Sequence, residues 1–232
     1  MKLYSFFNSS TSYRVRIALA LKQVDYEYIP VNIRSLEHKQ ESYVARNPSA
    51  SVPFLMTDEG FNLGQSAAII DYLDAKYPEP RLIPENAEQR ARVLEIANLI
   101  GCDMHPVNNL RILRYLVSEL GLGEDRKAAW YRHWVDEGMR SLEALLIQVD
   151  SGKYCVGDEP TLADCSLVPQ VANALRMGCN LDAYSRVGAV YEHCLAHPAF
   201  ELAAPSRQPD FIAPDVPADR KSEAPILEKQ RP

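Results

Sequence analysis

No run of eighteen consecutive apolar residues occurs in the 232-residue sequence, so no segment reads as a membrane-spanning helix. Positive charge is not in excess either. Lys and Arg number 25 against 31 Asp and Glu, and the net charge of −6 argues against a nucleic-acid surface. Cysteine is scarce and odd in number. The five (Cys102, Cys155, Cys165, Cys179, Cys194) form no C-x-x-C pair, which argues against a disulfide framework and fits a reducing compartment. Each sits in an apolar or helical stretch and reads as a buried structural thiol. There is no H-E-x-x-H, and His193 and His197 have an i, i+4 spacing but no third ligand nearby, so no metal is expected. The first residues enter a strand pattern without the apolar core of a signal peptide, from which a cytoplasmic location is expected. What is present is ordinary for a globular chain: 47% hydrophobic and 24% charged residues, enough to build a core.

The first eighty residues alternate strand and helix patterns. KLYSF reads as a strand, Thr11 to Lys22 as a helix and YEYIPVN as a second strand. LEHKQESYVARN reads as a helix ending before Pro48. VPFLMTD and GFNLG read as a hairpin around Asp58-Glu59-Gly60, and SAAIIDYLDAKY as an amphipathic helix. The order β-α-β-α-β-β-α predicts a small α/β layer unit with a right-handed crossover in each βαβ half. PEPRLIPENA then reads as a linker. Beyond residue 87 only helical periodicity is found. One long helix carries Pro106, which should kink it. Four further helices follow: RKAAWYRHWVDEGMRSLEALLIQ, TLADCSLVPQVANALRM, YSRVGAVYEHCLAH and the short PAFELAA. The predicted division is an α/β domain over 1–83, an all-helical domain over 84–212 and a disordered tail over 213–232, whose prolines and mixed charge leave little to bury.

Chemistry concentrates at the joint between the first strand and helix, Ser9-Ser10-Thr11-Ser12. Hydroxyls there can cap the helix, or can share its free N–H groups with a bound anion or thiolate. Three other features bear on that choice. Val52-Pro53 leads into the third strand, and a cis bond there would turn the Val52 N–H and C=O outward to pair with a peptide-like ligand. Gln65-Ser66 opens the third helix and offers N–H groups and a hydroxyl to a carboxylate. Thr161-Leu162-Ala163-Asp164 has the form of a capping box, with Asp for the usual Glu.

Together these segments resemble the soluble glutathione transferases, and the likeness extends to about residue 212. SSTSYRVRIAL is close to the zeta-class signature S-S-C-x-(W/H/Y)-R-V-R-I-A-L, and NPSASVPFL, QSAAIIDYL, PTLADCSLVPQV and HPVNNLRIL match further segments of that class in order. The resemblance implies a thioredoxin-like N-terminal domain, an all-α C-terminal domain and a homodimer. It implies a glutathione-dependent isomerase of maleyl-type diacids, chiefly maleylacetoacetate. The glutathione thiolate adds to the cis double bond, the bond rotates while single, and elimination leaves the trans product.

By resemblance, Ser10 faces the glutathione sulfur, with Ser9 and Thr11 beside it; Thr11 stands where the class often has Cys. Val52, beside Pro53, pairs with the cysteinyl backbone, Gln65 and Ser66 hold the γ-glutamyl carboxylate, and His38 and Gln40 reach the glycyl end. Arg176 binds a substrate carboxylate. Asn108 and Asn109 line the cleft past Pro106, with Asn108 toward glutathione and Asn109, with Arg111, toward substrate. Asn8 and Leu110 replace arginines of the maleylpyruvate isomerases, which weakens that alternative. General glutathione conjugation, haloacid dehalogenation and a non-catalytic scaffold are the other readings. Arg14 and Arg16, early in the first helix, are expected in structural ion pairs. Asp164 is expected as a helix cap, and Trp130 and Trp134 as packing.

Overall fold

The computed structural model describes residues 1–149 and 151–213. The expected tail, apart from Ala213, lies outside the described residues. Strand β1 (Lys2–Ser5) runs into helix α1 (Ser10–Leu21), then β2 (Glu27–Pro30), a 3-10 turn (Glu37–Lys39) and α2 (Glu41–Val44). The hairpin β3 (Phe54–Met56) and β4 (Asn62–Gly64) precedes α3 (Ser66–Lys76). The sheet order is β2-β1-β3-β4. β1 and β2 are parallel, while β3 is antiparallel to β1, so only the first half is a parallel βαβ unit. The crossover expected in the second half therefore does not arise.

Strand periodicity sorts the core into two layers. Leu3 and Leu55 enter one cluster with Val15, Ile17, Leu19, Ile69 and Leu73 of α1 and α3. Tyr4 and Phe54, the neighbours in sequence, enter the opposite cluster with Phe6, Phe7, Val31, Tyr43 and Val52. The long helix expected over LEHKQESYVARN is instead two short turns. Gln40 between them is extended (φ −67°, ψ 145°), and only Tyr43 of α2 is buried. Without an apolar stripe, nothing holds a longer helix in place.

The linker is docked rather than loose. Leu82 and Ile83 are fully buried, and their N–H groups donate to the two carboxylate oxygens of Asp74 at 2.7 and 3.1 Å. Lys22 Nζ donates to the same carboxylate at 2.8 Å, to the Tyr77 carbonyl at 2.6 Å and to the Pro80 carbonyl at 2.9 Å. Asp74→Ala should cost about 3 kcal/mol, because it strands a buried ammonium and two N–H groups. Urea unfolding reads this out. An unchanged midpoint would mean that the linker docks through its apolar side chains alone.

The helical half comprises α4 (Ala87–Asn98), α5 (His105–Asn108), α6 (Leu110–Ser118), α7 (Glu124–Gln148), α8 (Leu162–Arg176), α9 (Ser185–Leu195) and α10 (Pro198–Ala203). The single kinked helix expected around Pro106 is divided. A π-helical segment, Leu99–Met104, precedes Pro106, and Asn109 (ψ 163°) breaks the chain before α6. The wider π turns leave room for the proline ring. The TLAD capping box forms: Thr161 accepts from Ala163 N–H, and Asp164 accepts from Thr161 N–H at 2.8 Å. One apolar cluster runs through both halves, with α1 packed against α3, α8 and α10.

The first-helix arginines make no ion pair among the described residues. Arg16 is buried and donates to Ser5 Oγ (3.1 Å) and to the carbonyls of Phe6 (3.3 Å), Phe7 (3.0 Å) and Ala203 (3.0 Å). Arg14 is buried beside Gly101 with Nε and Nη2 unpartnered, and burial holds its pKa at about 10. Both lie inside the shared core, where no carboxylate of the described residues pairs with them. Four cysteines are buried as expected, but Cys102, on the π-helical segment, is exposed.

Candidate active site

The serine elbow is organised by a directed chain of hydrogen bonds. Ser9 is the N-cap of α1, and its Oγ accepts from Ser12 N–H at 3.2 Å. Thr11 Oγ1 donates to the Val52 carbonyl at 3.0 Å, which spends its only proton. Ser9 Oγ, 3.0 Å from Thr11 Oγ1, must therefore be the donor of that pair. Ser10, the first helical residue, makes no side-chain hydrogen bond to any described residue. Capping thus falls to Ser9, not to Thr11 or Ser12. The elbow's other edge is held by the C-terminal segment: Asp210 accepts from Phe7 N–H at 3.0 Å and from Tyr28 OH at 2.6 Å.

The α/β unit also carries the other predicted ligand positions. The Val52-Pro53 bond is cis. Its C=O takes the Thr11 proton, while the Val52 N–H has no partner among the described residues. Gln65 adopts φ +68°, costly for a non-glycine residue, at the entrance to α3, with Ser66 buried behind it. Backbone held this way clusters at functional sites. His38 is half-buried, with Nδ1 unpartnered among the described residues; burial, then Lys39 and Arg114, hold its pKa below the ordinary histidine value. Gln40 is exposed at the N-cap of α2.

A cleft of about 540 Å³ opens between this elbow and the helical half. Asn8, Ser9 and Ser10 form one wall, Asn173 and Arg176 of α8 the other, with Arg34, Phe7 and Phe211 between them. Ala213, placed in the tail by sequence, is part of this lining. Arg176 Nη2 donates to Asn173 Oδ1 at 2.6 Å, and Asn173 Nδ2 donates to Tyr131 OH at 2.7 Å, so Arg176 is oriented from behind. Desolvation lowers the Arg176 pKa, Tyr131 opposes that shift, and the charge of Arg34 adds to it.

Of the residues predicted for the site, Ser9, Ser10 and Arg176 line this cleft, whereas Thr11, His38, Gln40, Val52, Pro53, Gln65, Ser66, Asn108, Asn109 and Arg111 do not. Asn108 is buried and donates to the Tyr131 carbonyl at 3.3 Å. The Asn109 side chain caps α6, accepting from Arg111 and Ile112 N–H at 3.1 and 3.3 Å. Arg111 is exposed on the first turn of α6. Arg34 and Asn173 are among the lining residues that the sequence reading missed. Asn173 stands three residues before Arg176 on one helix, a spacing that could have identified it.

A compact α/β unit with a hydroxyl-bearing elbow beside a cis-proline, joined to a helical half across a cleft, is the architecture of a glutathione transferase. Residues 3–81 match the family model for the glutathione S-transferase N-terminal domain. Maleylacetoacetate isomerase of Pseudomonas aeruginosa is 47% identical over 92% of this chain and 100% of its own length. A holo structure of maleylpyruvate isomerase, described as a bacterial zeta-class glutathione transferase, superposes with a TM-score of 0.88 at 46% identity, covering 91% of this chain and 100% of that one. A Methylobacterium extorquens maleylacetoacetate isomerase with bound malonate and glutathione gives a TM-score of 0.86 at 33% identity, over 92% of this chain and 100% of that one. The chain belongs to the zeta class of glutathione transferases, the family of these isomerases.

Proposed function

We propose that this protein is a glutathione-dependent cis–trans isomerase of a maleyl-type β-keto diacid, maleylacetoacetate foremost. The carrying observation is the single cleft joining the Ser9-Ser10 elbow to the guanidinium group of Arg176. The residues around the elbow suit glutathione. The unpartnered Val52 N–H beside a cis-proline can pair with a peptide backbone, and the start of α3 at Gln65-Ser66 can receive a carboxylate.

Bound glutathione supplies the sulfur that adds to the conjugated double bond and is later expelled. The protein's part is electrostatic and positional. The α1 N-terminus and the serine hydroxyls favour negative charge at a sulfur placed beside them. Arg176, held by Asn173, anchors a carboxylate, and Phe7 and Phe211 form apolar walls. Relatives named as maleylacetoacetate isomerases, one with malonate and glutathione bound, support the reading. Asn8 and Leu110, where maleylpyruvate isomerases carry arginines, favour the longer diacid. The same reading includes a homodimer acting in the cytoplasm in aromatic amino acid breakdown.

Loss of the cis enol's ultraviolet absorbance should require both protein and glutathione. Turnover without glutathione, or none with it, would refute the reading. Arg176→Ala should raise KM for the diacid about tenfold or more while leaving glutathione affinity nearly unchanged. Equal loss of both would mark Arg176 as structural.

A further inference from the structure

We propose that Arg34 is a second carboxylate-binding arginine of the cleft, holding one end of the diacid while Arg176 holds the other. This rests on the functional reading above and names how its substrate is gripped.

Arg34 lies in the loop after β2. Because β1 and β2 are parallel, that loop and the serine elbow leave the sheet at the same end. The loop is braced by its own hydrogen bonds. Arg34 and Ser35 N–H donate to Asn32 Oδ1 at 2.9 and 3.3 Å, and Ser35 Oγ donates to the Asn32 carbonyl at 3.1 Å. Arg114 of α6 donates to the Arg34 carbonyl at 2.9 Å, tying the loop to the helical half. The Arg34 guanidinium lies over the rings of Phe6 and Phe7, 5.5 and 5.4 Å from their centroids. It is thus kept at the cleft by aromatic faces rather than by a carboxylate.

Nearby acids are already engaged. Glu37 accepts from Asn32 N–H and Ser35 Oγ, and Asp210 accepts from Phe7 N–H and Tyr28 OH. Neither Arg34 nor Arg176 pairs with a carboxylate among the described residues. Two guanidinium groups therefore face one cleft from opposite halves of the molecule, and the charge of Arg34 disfavours that of Arg176. A dianion with its charges at separate ends meets both cations, and each planar fork can bind a carboxylate through paired N–H donors. A monoanion meets only one of them.

The test compares succinate with butyrate as competitive inhibitors of the glutathione-loaded protein, alongside diacid kinetics, in wild type, Arg34→Gln and Arg34→Lys. Arg34→Gln should raise the diacid KM and the succinate Ki about tenfold, the low end for a charged hydrogen bond because the group is exposed. Butyrate Ki should move less than about twofold, glutathione affinity should hold, and Arg34→Lys should recover part of the loss. The proposal falls if succinate and diacid are unaffected in Arg34→Gln, or if butyrate weakens as much as succinate. A wild type that binds succinate through Arg34 but does not isomerise refutes the functional reading alone. One that isomerises with Arg34→Gln unaltered refutes Arg34 alone. A wild type that neither isomerises nor binds succinate refutes both.

Discussion

Ser9→Ala is expected to lower kcat about a hundredfold, the scale on which removing one oriented donor from a developing or held negative charge acts. Ser9 and Ser10 both reach the cleft, but they differ in preparation. The Ser9 oxygen accepts a helix N–H from Ser12 and donates toward Thr11, so its position is fixed. An accepted hydrogen bond also polarises the hydroxyl and makes it a stronger donor. Rotation about its Cβ–Oγ bond redirects the proton to a sulfur without moving a heavy atom, and Thr11 keeps its bond to Val52. Ser10 has no such support. Its expected contribution is the backbone N–H of the first helical turn, and Ser10→Ala should cost less than about tenfold. A charged hydrogen bond of about 1.5 kcal/mol corresponds to about one pH unit in the titration of the bound thiol. Following the thiolate absorbance of bound glutathione against pH in both variants separates the two. A larger shift in Ser10→Ala would return the role to Ser10. Ser9→Ala also removes a helix cap worth about 1 kcal/mol, so its melting must be measured beside its rate.

Arg16→Met is expected to destabilise the protein by about 4 kcal/mol, and is the largest stability effect anticipated here. The substitution leaves the carbonyls of Phe6, Phe7 and Ala203 and the Ser5 hydroxyl without this donor inside the core. Each such loss costs about 1–3 kcal/mol. Part is returned, because burial of the guanidinium is itself unfavourable and pushes its pKa down. Arg16→Lys should fall between, since an ammonium has fewer donors and no fork. Urea unfolding monitored by circular dichroism measures both. A loss under about 1 kcal/mol for Arg16→Met would mean that water replaces the guanidinium.

Strand alternation in KLYS and FLM, the TLAD box, and the helical periods of α7 to α9 were readable because each is a local pattern. The elbow and the Val52-Pro53 segment were located for the same reason, but the cis state of that bond came only with the structure. What could not be read depends on what lies across space. Arg14 and Arg16 carry the same charge at the same end of one helix, and sequence suggests ion pairs for both. Only the packing of α8 and α10 over α1 reveals a core that offers carbonyls to one and nothing to two nitrogens of the other. The series around Pro106 reads as one period, yet Asn109 ends it by capping the next helix with the side chain expected to face substrate. Arg34 sits in a polar loop with no period. Its place follows from the parallel pairing of β1 with β2, a fact of topology.

The bonds that hold the elbow also bear on the order in which the molecule can be completed. Tyr13 OH reaches the Phe200 carbonyl, Arg16 reaches Ala203, and Phe7 N–H reaches Asp210, spans of 187, 187 and 203 residues. A chain emerging from the ribosome makes the serine elbow almost first, and the groups that fix it almost last. Domains commonly settle in order of synthesis, but such distant closures must wait for the end. The α/β unit can collapse early around Leu3 and Leu55. The elbow acquires its final restraints only once residue 210 has left the ribosome, so a nascent chain halted before then would carry the sequence of the site without its geometry.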